Sequence, residues 1–184
     1  NIFRGRIAVD NGIDTESGDY MGMIGTVINL KAISSLLNQR NIPNVLYSAL
    51  NVENVTKHYD VEKAKKEYEN SVVLLAGGIG KPNFTTDTCA ALRAVELDAE
   101  LILAGKYGVK GVYDKDPRLY KDAKFLKKLT YQEVLDMDLK VMDKTAISLL
   151  LHSNVITKVF SMDDMNNFIL AIEDKDIGTI IKEK

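Results

Sequence analysis

The densest run of chemistry-bearing residues is Gly77-Gly78-Ile79-Gly80-Lys81-Pro82-Asn83-Phe84-Thr85-Thr86-Asp87, directly after the apolar stretch Val72-Val-Leu-Leu-Ala76. Glycines let backbone N–H groups approach a ligand closely, and the start of a following helix favours an anion. Thr85, Thr86 and Asp87 add two hydroxyls and a carboxylate at that point. The chemistry this suits is the holding of a phosphorylated small substrate. A plain strand-to-helix turn, with Thr or Asp as the cap, is the competing reading. Two familiar phosphate loops do not fit. A Walker loop needs Ser or Thr after its lysine, but Pro82 follows Lys81. A dinucleotide fingerprint opens its helix within the glycines, whereas Pro82-Asn83-Phe84 intervene here.

Other segments carry complementary groups. Arg4 stands beside Gly5, a setting that suits bidentate contact with a phosphate. Asp19, in Ser17-Gly-Asp-Tyr-Met-Gly-Met23, reads as a helix cap or a ligand group. Gly22 and Gly25 cost that helix roughly 1 kcal/mol each, so close packing or a ligand must justify them. Further on, Gly105-Lys-Tyr-Gly-Val-Lys-Gly-Val-Tyr-Asp-Lys-Asp-Pro117 offers Lys106 for phosphates, Tyr107 or Tyr113 for a base, and Asp116 for a ribose or metal. A surface hairpin is the other reading of that stretch. Asp143 precedes a helical pattern and is a cap by default. His58 and His152 lack the paired spacing of metal ligands, so no metal site is expected from the side chains alone.

Positioning such groups requires a scaffold, and the pattern supplies one. Residues 44–48, 71–76, 100–104 and 157–160 are short β-branched runs, and 177–181 reads as a final strand at an edge. Helical patterns lie between them. One runs from a cap at Asp19 to about Asn38, with Ile24, Val27, Ile28, Leu30, Ile33, Leu36 and Leu37 on or near its inner face. Others cover 61–69, 86–97, 131–135, 143–152 and 163–173. Repeated strand, helix, strand implies an α/β fold with a mainly parallel sheet, whose ligands bind beyond the carboxyl ends of the strands. The chain reads as one domain over residues 1–184. Its net charge of −2 argues against a nucleic-acid partner recruited by a basic surface. The single Cys89 excludes an intramolecular disulfide and fits a reducing, cytoplasmic setting. No apolar run approaches the roughly 20 residues of a membrane helix, so no membrane partner is expected.

Taken in order, five segments resemble the bacterial uridylate kinases of the amino-acid kinase superfamily. They are Asn1-Ile-Phe-Arg-Gly5, Gly18-Asp-Tyr-Met-Gly-Met23, Pro82-x-Phe-Thr-Thr-Asp87, Val109-x-Gly-Val-Tyr113 with Asp116-Pro117, and Leu129-Thr-Tyr-x-Glu-Val-Leu135 through Leu139-Lys-Val-Met-Asp143. The resemblance implies a three-layer αβα sandwich and the reaction UMP + ATP → UDP + ADP with Mg²⁺, in a cytoplasmic homohexamer with GTP and UTP as effectors. It places UMP on Asp19 and on Ile79, Gly80, Lys81, Pro82, Asn83, Phe84, Thr85 and Thr86. ATP falls to Arg4, Tyr107, Tyr113 and Asp116, and catalysis to Arg4, Asp87, Lys106 and Asp143. The chain departs from the family pattern at Ile79, Lys81, Asn83, Tyr107 and Lys110. It also lacks the family's amino-terminal Lys-Leu-Ser-Gly and Gly-Gly-Gly segments, so an incomplete amino-terminal side is expected. Another phosphotransferase of the superfamily, or a non-catalytic nucleotide-binding or anion-binding member, is the alternative.

Overall fold

The computed structural model describes residues 1–173 and 175–183. The chain divides into two compact units, Asn1–Thr86 and Asp87–Lys184.

In the first unit, α1 (Gly5–Asp10) and α2 (Thr15–Asn38) precede β1 (Asn44–Ser48), β2 (Lys57–His58), α3 (Val61–Tyr68) and β3 (Val72–Ala76). The strands form a parallel sheet in the order β2-β1-β3, with Asn44 opposite Val72 and Ser48 opposite Ala76. Val27 of α2 packs with Leu46, Leu74 and Ala76 as the core, with Leu30, Leu37 and Val52 against it. Each fully buried Val or Leu contributes roughly 1.5–3 kcal/mol.

Helix α2 differs from its expected form in two ways. Its cap is Asp14, whose Oδ1 accepts the Ser17 N–H at 2.9 Å, so Asp19 lies inside the helix with its carboxylate released from capping. Its buried face is built from small residues, Gly18, Gly25 and Ser34, together with Val27, whereas Ile24, Ile28, Ile33 and Leu36 stay 43–53% exposed. Backbone proximity is the reason. A Cβ on Gly18 would lie 2.9 Å from the Gly5 carbonyl oxygen, and one on Gly25 would lie 2.8 Å from Asn1 Oδ1. The helix glycines therefore admit the segment that carries Arg4, which Asn1 Nδ2 also ties to the Gly22 carbonyl at 2.9 Å. By length and composition alone α2 is apolar enough to cross a membrane, a property it shares with the core helices of soluble proteins.

The second unit contains α4 (Thr86–Glu96, its first residue belonging to the first unit), β4 (Leu101–Lys106), β5 (Val112–Tyr113), β6 (Phe125–Leu126) and β7 (Lys128–Thr130). It continues with α5 (Tyr131–Asp136), α6 (Lys144–Leu150), β8 (Ile156–Ser161), α7 (Asn166–Ile172) and β9 (Thr179–Lys182). Its main sheet has the order β4-β8-β9-β7, and β5 and β6 form an antiparallel pair. Strand β9 was expected at an edge but lies between β8 and β7, with Thr179 and Ile181 fully buried. The three-residue β7, too short to read from sequence, is what covers it.

A core of Tyr131, Val134, Ala146, Ile147, Leu150, Val159 and Ile181 anchors the polar loops. The Tyr131 hydroxyl donates to the Val155 carbonyl at 2.9 Å and meets Thr157 Oγ1 at 2.9 Å, so the buried phenol is satisfied. Thr130 and Glu133 form a capping box that starts α5. The chain leaving α5 buries Leu139, Val141 and Met142, which fixes the point at which Asp143 begins α6.

Candidate active site

The first unit carries the glycine loop. Gly77, Gly78 and Gly80 have φ of +76°, +57° and +79°, a region that favours glycine. At Gly77 a Cβ would lie 2.7 Å from Ser48 Oγ, so the loop folds back on the carboxyl end of β1. The Gly77 N–H donates to Thr26 Oγ1 at 2.8 Å, and that hydroxyl donates to the Met23 carbonyl at 2.6 Å. Thr26 thus ties the loop to α2. Asp19 does the same further along, its Oδ2 accepting the Asn83 N–H at 2.7 Å. Asn83 has φ +66°, so this bond secures a left-handed turn in a non-glycine residue.

The structure therefore brings Asp19 together with the loop 79–86, two segments that sequence spacing alone could not join. Lys81, Phe84, Thr85 and Thr86 are exposed along it, while Ile79, Gly80 and Pro82 are half-buried. Arg4 is exposed and precedes α1, without a side-chain capping bond. Thr26 was missed by sequence reasoning; its only signal was a hydroxyl set between Gly25 and Val27.

The second unit carries two carboxylates and a lysine in one cluster. Lys106, at the end of β4, has Nζ 3.9 Å from Asp87 Oδ1, in the first turn of α4. Asp143 caps α6 by accepting the Ala146 N–H at 3.0 Å. Burial pushes the Asp87 carboxyl above its usual range; Lys106 opposes this, and the nearby Asp143 charge adds to it. The cluster lines a cavity of about 420 Å³ that also contains Lys140 and Lys144.

Lys106 also borders a second cavity of about 660 Å³, lined by Tyr107, Tyr113, Asp116, Arg118 and Tyr120 among others. Tyr107, Tyr113 and Asp116, proposed together from the sequence, thus share one cavity. Tyr113 stacks edge-to-face on Phe125 at 5.4 Å, while Tyr107 is 74% exposed. Strands β5 and β6 make the end of this stretch a hairpin, as one of its two sequence readings expects, and its residues also wall the cavity. Thr179 holds that hairpin to β9, accepting the Val112 N–H at 2.9 Å and donating to the Leu126 carbonyl at 2.6 Å. Asp116 is engaged by a residue the sequence did not flag. Its oxygens accept Arg118 Nε at 3.0 Å and Nη2 at 2.8 Å, which holds the carboxyl below its usual range.

Among the described residues, no group of three or more His, Cys, Asp or Glu side chains could hold a metal ion. Two adjacent carboxylates are nevertheless what Mg²⁺ uses when it arrives on nucleotide phosphates, and Asp87 and Asp143 fit that role.

The raised Asp87 carboxyl has a measurable consequence. A carboxyl harder to ionise when folded contributes stability below its unfolded range and loses it as pH rises through the folded value. Asp87→Asn lacks that loss. Its melting temperature relative to the parent should therefore increase between pH 4 and pH 7, by a small amount because the side chain is 38% exposed and partly screened. A difference independent of pH would contradict the burial argument.

Residues 1–161 match the amino acid kinase family. The chain is 44% identical to the uridylate kinase of Mycoplasma capricolum over 184 residues, covering 99% of this chain and 78% of that protein. It is 41% identical to the uridylate kinase of Oenococcus oeni, covering 99% and 75%. Among solved structures, UMP kinase from Ureaplasma parvum superposes with TM-score 0.92 at 37% identity, covering 99% of this chain and 78% of that one. UMP kinase from Bacillus anthracis gives 0.93 at 32% identity, covering 100% and 76%. The fold class expected from the sequence, α/β with mainly parallel strands, is thereby established. The chain belongs to the amino acid kinase family and, within it, to the uridylate kinases.

Proposed function

We propose that this chain transfers the γ-phosphoryl group of ATP to UMP, giving UDP and ADP. What carries this reading is the 44% identity to a uridylate kinase over nearly the whole chain. The residue types in each unit suit this reading. Asp19 and the loop 79–86 form the acceptor side, where exposed backbone and hydroxyl groups meet a nucleoside monophosphate. Tyr107, Tyr113 and Asp116 form the donor side, within a cavity large enough for a nucleotide. Arg4 and Lys106 supply positive charge to phosphate oxygens, and Asp87 with Asp143 orients Lys106. Such a site needs no covalent nucleophile, because phosphoryl transfer depends chiefly on positioning and charge neutralisation. Mg²⁺ enters with ATP and offsets phosphate charge when bound.

Assembly as a cytoplasmic homohexamer responding to GTP and UTP belongs to the same proposal, supported by the family resemblance and checked by light scattering and effector titration. The acceptor assignment is tested with a panel of UMP, CMP, dTMP and small carboxylates under saturating ATP–Mg²⁺. UMP should give the highest kcat/KM, by about tenfold or more, since a site built to hydrogen-bond one substrate strongly rejects those that leave its groups unpaired. Preference for a carboxylate or another nucleotide would reject the UMP assignment in favour of a different phosphotransferase.

A further inference from the structure

Thr88 follows Asp87 in α4 and is 3% exposed. Its hydroxyl lies 3.0 Å from Asp143 Oδ1 and 2.9 Å from Oδ2. A threonine in the first turns of a helix ordinarily turns its hydroxyl to its own backbone or to water. This one is directed at a carboxylate 55 residues away. The same carboxylate accepts the Ala146 N–H, so Asp143 is gripped from two helices at once. The Asp143 charge is also felt by the Asp87 carboxyl in α4.

Two roles could explain the contact. Thr88 could simply secure the α6 cap. The cap, however, already has its backbone donor in Ala146, and a helix of seven residues whose Ala146, Ile147 and Leu150 are buried is held by packing. The contact instead adds orientation, because the Thr88 hydroxyl at both oxygens and the Ala146 N–H at Oδ1 hold the carboxylate from two directions. The neighbouring Asp87–Lys106 pair is 3.9 Å apart and more than a third exposed, and so has little rigidity of its own.

We propose that Thr88 is a positioning residue for phosphoryl transfer, fixing the Asp143 carboxylate beside Asp87 and Lys106 with its buried hydroxyl. The inference rests on the reading of Asp143 as a site residue. It makes Thr88 a support that acts through Asp143 and never touches the nucleotides.

Thr88→Val keeps the shape of the side chain and removes only the donor. A hydrogen bond to a charged group is worth enough that kcat should fall about 10-fold, and a slightly misplaced catalytic group can cost more. The KM values for UMP and ATP should stay within about threefold, because the nucleotide contacts lie elsewhere. Thr88→Ser restores the hydroxyl and should recover most of the rate. In an Asp143→Asn background, Thr88→Val should add little further loss, as expected of groups acting as one unit. Thermal melts of each variant separate this from simple destabilisation. A Thr88→Val protein with unchanged kcat, or a Ser variant as slow as Val at equal melting temperature, would overturn the proposal while leaving the site reading intact. If Asp143→Asn itself keeps the parental rate, the site reading fails and the proposal fails with it.

Discussion

Asp143→Asn is expected to lower kcat by about 100-fold, in line with the loss of one preorganised electrostatic group from a site that works by charge placement, while leaving the fold intact. Asn and Asp are near-equal helix caps, so the Ala146 N–H keeps its acceptor and α6 its start. Thr88 likewise keeps an oxygen to donate to. Only the charge is lost. In the proposed account that charge adds to Asp87 in the field around Lys106, whose ammonium rides on a flexible four-carbon stem and whose pairing with Asp87 at 3.9 Å is too loose to fix it. The KM for UMP should change little, since the acceptor loop belongs to the other unit. Steady-state kinetics with a matched thermal melt checks this. A variant within threefold of the parent would reduce Asp143 to a cap.

The second large effect is on stability and falls at Gly178. Its φ is +70°, and a Cβ there would collide with the Val159 carbonyl oxygen and lie 3.0 Å from Phe160 Cβ. Both neighbours belong to β8 and are 1% exposed, so neither can yield cheaply. The left-handed backbone costs an L-residue about 1–2 kcal/mol, and overpacking adds about 1–3 kcal/mol. Gly178→Ala should therefore lose roughly 2–5 kcal/mol, or about 5–15 °C in melting temperature for a protein of this size. The strain has a functional echo. Gly178 leads into Thr179, which joins β9 to the hairpin bearing Tyr113, so the KM for ATP should rise as well. A melting temperature within 2 °C of the parent would contradict this packing argument.

Much of the scaffold was legible because its signals are local. The runs at 44–48, 71–76, 100–104 and 157–160 are strands in the structure, within one or two residues at their ends. Asp143 caps its helix as its position suggested. What the sequence concealed depended on distance. Asp14 caps α2 through the Ser17 backbone N–H, and because every non-proline residue offers such a donor, nothing local tells Asp14 apart from Asp19. Of the two reasons the sequence offers for the glycines of α2, close packing or a ligand, the structure shows close packing, and that the partner is the Asn1–Gly5 segment follows only from the folded chain. The branched residues expected inside α2 are partly outside for the same reason: the near approach of backbone claims the face with the smallest side chains. Strand β9 was misplaced because β7 has three residues and leaves no periodic trace. In the candidate site, loop 77–87, Lys106 and Tyr113 were readable as residue types in suggestive company. The contacts that give them form, Asp19 to Asn83, Thr26 to Gly77, Thr88 to Asp143 and Arg118 to Asp116, are mostly pairings across long sequence separations that a single sequence does not encode visibly.

The central claim, phosphoryl transfer from ATP to UMP, is tested most directly by following the label. Purified protein is incubated with UMP, Mg²⁺ and ATP carrying radioactive γ-phosphate, and the products are separated by thin-layer chromatography. The account predicts label appearing in UDP in step with ADP, and a rate about 100-fold lower with Asp143→Asn. Label released as free phosphate, or carried to an acceptor other than UMP, would contradict it.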